Sequence, residues 1–236
     1  MSFFVFVLLT IAVAAAAFVQ GSVGIGFALI MAPIFALVDA QYLPVTLLIL
    51  MLPLNFLVAW REREAIDFSG AKWITVGRFV GTFIGMAVLV AITVRQLEIA
   101  VGVFTVLAAI VALVAPPFSP ARTSSMGVGL FTGVTETATG IGGPPLALLY
   151  QHAPGPVLRS TVAVCFLVGE IISLAVLAIA DQVRSDQLLA AAYLVPAVFF
   201  GSALSRLAHA RLNGGAVRLA VLVFSIASGL FLVLKG

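Results

Sequence analysis

Polar side chains interrupt several long apolar segments of this sequence, and their types could bind an ion or carry a proton. Glu136 and Glu170 are carboxylic acids, and Gln20 and Asn55 are amides. Polar and ionisable groups at membrane depth are costly and are candidates for function. We therefore expect Gln20, Asn55 and Glu136 to contact a substrate. A buried carboxyl group can also take up a proton, so Glu136 and Glu170 are candidates for proton coupling. The alternative for either glutamate is a neutral acid that ties two helices together.

Two glycine-rich motifs break apolar segments of the chain. The first is Gly-Ile-Gly at 24–26, and the second is Gly-Ile-Gly-Gly-Pro-Pro at 140–145. Unpaired backbone persists in a bilayer only where protein or a cavity satisfies it, and glycine lets a ligand approach the main chain. The glycines of both motifs are candidate substrate-binding residues: Gly24, Gly26, Gly140, Gly142 and Gly143. The alternative is that they only allow helices to pack closely.

Two arginines lie near the beginnings of apolar segments. Arg159 precedes the segment 161–180 and is a candidate substrate-binding residue, which either neutralises an entering anion or anchors the helix. Arg78 follows Trp73 by five residues, and we expect its charged head to reach the membrane surface, although a cation here would also suit an anion path. With two histidines and one cysteine in the chain, we expect neither a metal site nor a cofactor.

The composition places these side chains in a membrane protein. The chain has 236 residues, of which 63% are hydrophobic and 9% are charged, and its mean hydropathy is +1.25. Because an ordinary soluble domain has about 25% charged residues, the sequence excludes a soluble enzyme, a coiled coil and a disordered chain. Twelve Lys and Arg residues give a net charge of +3, too few over this length for a nucleic-acid surface. We predict an all-α integral membrane protein.

Apolar windows of the length needed to cross a bilayer predict six spanning helices, at 43–60, 73–93, 97–114, 161–180, 188–204 and 216–234. Segments 3–19 and 126–139 lead into the glycine motifs, and shorter apolar segments, 27–38 and 144–151, follow them. Twelve helical residues reach only about 18 Å, too short for a hydrocarbon core of about 30 Å. Each pair is therefore predicted to be a helix, a glycine break and a half-helix that turns back.

The two halves of the sequence repeat each other. The Gly-Ile-Gly at 140–142 lies 116 positions after that at 24–26, and the breaks between apolar segments coincide at the same offset. We predict two homologous membrane repeats, 1–117 and 118–236. Each repeat would hold one broken re-entrant helix and about three spanning helices.

The distribution of charge favours an inverted relation between these repeats. If the broken segments turn back, the halves are inverted, and nine Lys and Arg residues lie on one side against three on the other. If the broken segments cross, the halves are parallel and the division is seven to five. Since cytoplasmic loops collect Lys and Arg, we predict inverted repeats with both termini outside. The half-helices then begin near the membrane centre, where free N–H groups would attract an anion without a fixed cation.

Several of these motifs occur together in one known family. They are Gly-Ile-Gly at 24–26 followed by Pro33, Arg-Glu-Arg at 61–63, Gly-Thr-Phe-Ile-Gly at 81–85 and the second glycine motif at 140–145. In these features the chain resembles the TauE/SafE sulfite-exporter family over essentially its whole length. The resemblance implies export of sulfite or organosulfonates across the bacterial inner membrane.

The prediction is a secondary transporter, an exporter of a small sulfur-containing anion bound at the membrane centre between two broken helices. A channel-like anion pore is the first alternative, and a cation carrier using the glutamates is another. An integral-membrane enzyme would need a nucleophile–base or metal constellation, which the sequence lacks, so we expect no enzyme. The expected partners are a small anionic substrate and the lipid bilayer, without nucleic acid, and a homodimer is compatible with the sequence. The expected location is the bacterial inner membrane, with both termini periplasmic or extracellular.

Overall fold

The computed structural model describes residues 3–114, 120–208 and 214–235, and over these ranges it confirms the predicted all-α fold. Two short 3-10 helices, Ala40–Tyr42 and Arg63–Ala65, accompany the α-helices. The α-helices are α1 Phe3–Val23, α2 Phe27–Asp39, α3 Val45–Arg61, α4 Phe68–Ala91, α5 Val94–Val114, α6 Arg122–Thr139, α7 Gly143–Tyr150, α8 Gly155–Ile179, α9 Ser185–Ala208 and α10 Gly214–Leu234. The predicted repeat boundary at 117 and 118 lies outside the described residues.

The helices are long and apolar enough for a protein that crosses a membrane several times. Within the described residues, five segments meet the length and hydropathy of a span, in α1, α4, α5, α8 and α9, and three shorter apolar helices accompany them. Large aromatic side chains are exposed on the outside of the bundle, including Phe79 at 52% and Phe200 at 66%. Exposed apolar surface of this extent suits contact with lipid. The chain is therefore a multi-pass membrane protein.

The first helix is longer than the sequence predicted. We expected it to end at Val19, but α1 continues through Gln20 to Val23. The N–H of Gly24 still donates to the carbonyl oxygen of Gln20 at 2.7 Å, which completes the last turn. The break follows at once, because Gly24 and Gly26 have φ of 94° and 128°, a backbone region that glycine adopts without a steric penalty.

Helices α1 and α2 form a hairpin whose two ends lie at the same end of the bundle. Near the start of α1, the rings of Phe6 and Tyr193 are 6.4 Å apart. Just after α2, the carbonyl oxygen of Gln41 accepts a hydrogen bond from Nε2 of Gln187 at 2.7 Å. Since Tyr193 and Gln187 both belong to the first turns of α9, the chain turns back at the first break. We call this the Gln41 end, which comprises residues 40–44, 92–94 and 180–187.

Helices α6 and α7 form a second hairpin at the opposite end. At the start of α6, the guanidinium carbon of Arg122 lies 4.0 Å from the ring centroid of Trp73. At the end of α7, the hydroxyl of Tyr150 donates to Oδ2 of Asp67 at 2.8 Å. Trp73 belongs to the first turns of α4, and Asp67 is the residue just before that helix. We call this the Asp67 end, which comprises residues 61–67 and 150–157. Helix α4 runs from this end to Ile92 at the Gln41 end.

The contacts between helices recur at equivalent positions of the two halves. Helix α4 packs on α6, as α9 packs on α1, and α4 also packs on α8, as α9 packs on α3. Helices α5 and α10 pack on each other, and so do α3 and α8. Glycines bring the backbones of α4 and α6 together, because a side-chain carbon at Gly81 would overlap the carbonyl oxygen of Leu130.

Candidate functional site

A chain of buried amide hydrogen bonds joins four helices in the middle of the bundle. Nε2 of Gln20 donates to Oδ1 of Asn55 at 2.8 Å, and Nδ2 of Asn55 donates to Oε1 of Glu170 at 2.6 Å. The carbonyl oxygen of the Gln20 side chain accepts from the N–H of Phe27 at 3.0 Å. All three side chains are at most 2% exposed. The structure thus brings together three residues that the sequence singled out separately.

The hydrogen bond from Phe27 to Gln20 changes the role that we expected for α2, the first half-helix. We predicted free N–H groups at the start of α2, but the N–H of Phe27, its first residue, donates to Gln20. That prediction is wrong for this group, because the amide of Gln20 reaches across the break from α1. At the start of α7, Pro144 and Pro145 carry no N–H. Of the possible donors at the two helix N-termini, the N–H of Phe27 is therefore already used, and Pro144 and Pro145 supply none.

Arg78 and Glu136 form an ion pair in the interior. Nη2 of Arg78 lies 2.7 Å from Oε2 of Glu136, and both side chains are 0% exposed. The expectation that Arg78 reaches the surface is wrong, because α4 packs directly on α6 and places a carboxylate next to the guanidinium. A buried charge is retained when it has a partner of opposite sign. The N–H bonds of Arg78 are not aimed at the carboxylate, so neither group has a well-aligned hydrogen bond there.

Small residues make room for this ion pair. A side-chain carbon at Gly169 of α8 would overlap the guanidinium of Arg78. A side-chain carbon at Gly142, in the second break, would overlap Oε2 of Glu136. The ring centroid of Phe166 lies 5.6 Å from the guanidinium carbon, within the range of a cation–π contact. The ion pair therefore occupies the space that side chains would fill if positions 142 and 169 were not glycine.

The two glycine breaks meet beside this ion pair. A side-chain carbon at Gly143 would lie 3.9 Å from Cγ2 of Ile25, the central residue of the first motif, and 3.8 Å from Cζ of Phe166. Phe166 in turn covers Arg78. The second break thus contacts both the first break and the charged pair, as expected if the broken helices surround one site.

The charges of this cluster do not cancel if every group is ionised. Arg78 interacts electrostatically with both Glu136 and Glu170, and Cys165 lies near Arg78 and Glu136. One cation faces two carboxyl groups, so the cluster is neutral only when one carboxyl group holds a proton. Within the described residues, polar atoms of this cluster that lack an aligned hydrogen-bond partner are Nε, Nη1 and Nη2 of Arg78, both carboxyl oxygens of Glu136 and Oε2 of Glu170.

Arg159 lies at the Asp67 end of the bundle, away from the central cluster. Its Nε and Nη2 donate to the carboxylate of Glu62 at 2.9 to 3.1 Å. Its Cγ would lie 2.7 Å from a side-chain carbon at Gly24. Nη2 of Arg61 donates to the carbonyl oxygen of Gly21 at 3.0 Å. These contacts favour the anchoring role that the sequence left open for Arg159.

The remaining glycines of the two motifs contact apolar side chains. Gly26 lies against Val19 of α1 and Val221 of α10, and Gly140 lies against Leu47 of α3. Gly140 has a φ of 82°, a backbone conformation that favours glycine, so this residue allows the chain to break at this position. Across the part of the chain that the structure describes, no three His, Cys, Asp or Glu side chains are grouped as a metal site would require.

Sequence reasoning missed Arg78 as a member of the central cluster. The signal was present, because Arg78 is the only charged residue between positions 73 and 91. Two other apolar segments each contain a lone glutamate, Glu136 and Glu170. Pairing opposite charges across apolar helices would have pointed to this contact.

Helices that break at a buried charged cluster, in a bundle that crosses the membrane several times, are the architecture of a membrane transport protein. A comparison with protein-family models agrees with this class. The model described as sulfite exporter TauE/SafE matches residues 8–232. The chain therefore belongs to the sulfite exporter TauE/SafE family, as its motifs predicted, and the members of this family are transporters. No curated protein and no solved structure matched the chain.

Proposed function

We propose that this chain is a secondary transporter that exports a small sulfur-containing anion, such as sulfite or an organosulfonate. The observation that carries the proposal is the meeting of both glycine breaks beside the buried Arg78–Glu136 pair. A cation at membrane depth, surrounded by groups with unused hydrogen-bonding capacity, is suited to an anion. Family membership supports the same class of substrate.

The proposed substrate site lies between the two broken helices and includes Gly142 and Gly143 of the second. Gln20 and Asn55 belong to the amide network next to it. We include Glu136 as the group that carries a proton with the substrate. Because Arg78 and Glu136 are fully buried, a substrate can reach them only when helices move. This supports a carrier with alternating access over a permanently open pore.

The proposed halves are inverted repeats in the bacterial inner membrane. The two hairpins begin and end at opposite ends of the bundle, which supports this arrangement. The equivalent helix contacts of the two halves support it as well. Arg61, Arg63 and Arg206 line one cavity at the Asp67 end, so by the positive-inside rule this end faces the cytoplasm. The Gln41 end, where α1 begins, then faces the periplasm.

Flux through purified protein in liposomes tests the proposed function. We expect efflux of sulfite or methanesulfonate that saturates with concentration and exceeds the leak of protein-free liposomes. Sodium release from the same liposomes should stay at the leak rate. Sodium flux without anion flux, or no flux of either anion, would overturn the proposal, and anion flux that rises linearly with concentration would indicate a pore.

A further inference from the structure

The buried Arg78–Glu136 pair differs from a second Arg–Glu pair in the same protein. Arg159 binds Glu62 through two nitrogens, with three aligned hydrogen bonds of 2.9 to 3.1 Å. This is the forked geometry that arginine and carboxylate prefer. Arg78 and Glu136 are equally close at 2.7 Å, yet none of the three guanidinium nitrogens has an aligned partner. An ion pair that only held helices together would be expected to adopt this forked geometry, with two parallel hydrogen bonds.

We propose that Arg78 is the cation that binds the transported anion, and that Glu136 is its resident counter-ion, which the anion replaces. This inference rests on the proposed transport function and names the residues that recognise the substrate. A sulfonate or sulfite group presents oxygens that can accept two parallel hydrogen bonds from a guanidinium, as a carboxylate does. In the structure, the carboxylate of Glu136 occupies the place beside Arg78 that these oxygens would take.

The surroundings of the pair allow such an exchange. Gly142 leaves space at Oε2 of Glu136, and Gly169 leaves space at the guanidinium. Gly142 belongs to the second break and Gly169 to α8, so the pair lies where the second broken helix meets a spanning helix. At the positions related by the 116-residue offset, the chain has Leu194 as the mate of Arg78 and Gln20 as the mate of Glu136. The described cluster therefore has one guanidinium and a single place for an anion.

Charge balance links the exchange to one proton. Among the described residues, the charged or titratable groups that face Glu136 are Arg78 from α4 and Glu170 and Cys165 from α8. When a monovalent anion takes the place of the Glu136 carboxylate at Arg78, an ionised Glu136 would leave one extra negative charge in the interior. The carboxylate of Glu136 therefore forms an O–H bond with a proton from solution as the anion binds. It releases that proton when the anion leaves, so one anion and one proton bind and leave together.

Binding of methanesulfonate to the purified full-length chain, measured between about pH 6 and pH 8, tests this exchange. Methanesulfonate is chosen because its own charge is constant over this range. For the wild type we expect the affinity to fall with rising pH, by up to ~10-fold for each pH unit, as one linked proton requires. Glu136→Gln should bind independently of pH, and at pH 8 more tightly than the wild type, because the carboxylate that occupies the place of the anion beside Arg78 is gone.

The double variant Arg78→Gln, Glu136→Gln removes the cation without leaving a buried carboxylate unpaired. We expect it to elute as a folded protein and to bind methanesulfonate at least ~100-fold more weakly than Glu136→Gln does, because the buried anion loses its cation. Gly169→Ala, which displaces the guanidinium, should weaken binding in the same direction. The matched control is Arg95→Gln, which breaks the partly exposed pair of Arg95 and Glu98 and should leave affinity and its pH dependence unchanged.

Several results would overturn the exchange while leaving transport itself intact. They are wild-type affinity in the double variant, a pH dependence in Glu136→Gln that parallels the wild type, and loss of binding in Glu136→Gln. The proposed function fails by a different result, namely wild-type protein that carries no sulfite or methanesulfonate in liposomes. The two failures are thus distinguishable.

Discussion

Asn55 connects three helices through a single amide group. It lies on α3, accepts from Gln20 of α1 and donates to Glu170 of α8. Because the network is buried, water does not reach its polar atoms, and hydrogen bonds within the protein must satisfy them. Glu170 therefore has a structural contact that suffices to explain its position, in addition to its place near the charged pair.

Replacement of Asn55 by leucine tests the structural part of this network. Asn55→Leu keeps the size of the side chain but leaves Nε2 of Gln20 and Oε1 of Glu170 buried without their partner. We expect a loss of about 1–3 kcal/mol of stability for each unpaired group, measured as a lower unfolding temperature in detergent. The control is Glu170→Gln, which retains an oxygen that accepts from Asn55 and should unfold near the wild-type temperature. Equal unfolding temperatures for Asn55→Leu and the wild type would contradict this role.

The glycines of α4 and α6 bring two helix backbones into direct contact. Side-chain carbons at Gly77, Gly81 and Gly85 would each overlap a carbonyl oxygen of α6, and those at Gly129 and Gly133 would overlap carbonyl oxygens of α4. Close approach of this kind is a main source of helix association in membranes. It also sets the distance between Arg78 on α4 and Glu136 on α6.

Gly81→Ala tests this contact between the elements. The added methyl group must push α4 away from Leu130, so we expect a loss of about 1–3 kcal/mol from overpacking. Gly127 is the matched control, since it lies on α6 with nothing within 4 Å of an added side-chain carbon. Thermal unfolding in detergent should show Gly81→Ala well below the wild type and Gly127→Ala close to it. Identical unfolding of the two variants would contradict close packing at Gly81.

The sequence predicted the elements better than it predicted the contacts between them. The glycine motifs indicated both breaks, since positive φ at Gly26 and Gly140 leaves few other residues possible. Hydropathy predicted a helix at each of the six long apolar segments, and four of these helices, α4, α5, α8 and α9, have over their described residues the length and hydropathy of a span. The partner of Arg78 could not be found this way, since it depends on the packing of α4 on α6. For the same reason the bond from Phe27 to Gln20 was not foreseen.

At the scale of the whole molecule, the two hairpins place the loops at two opposite ends of the helical bundle. The 3-10 turn at Ala65 lies beside Pro156 at the Asp67 end, and the loop at Gln182 and Arg184 lies beside Thr93 at the Gln41 end. A parallel arrangement of the halves would instead place Ala65 and Val183 on the same side.

Cysteine labelling in intact cells checks this topology. We expect Ala65→Cys to react with a membrane-impermeant maleimide only after the inner membrane is opened, and Val183→Cys to react from outside. The native Cys165 is buried, so the unmodified chain provides the background. Labelling of both new cysteines from the same side would contradict inverted repeats.

Sulfite efflux from proteoliposomes that contain Gly142→Leu tests the central claim most directly, because Gly142 belongs to the second break and lies against Glu136. A leucine there would occupy the space beside the carboxylate, so we expect efflux to fall to the leak rate while yield and elution volume stay normal. Gly127→Leu, with open space around it, should transport at the wild-type rate. Wild-type efflux by Gly142→Leu would show that the broken helix does not form the anion site.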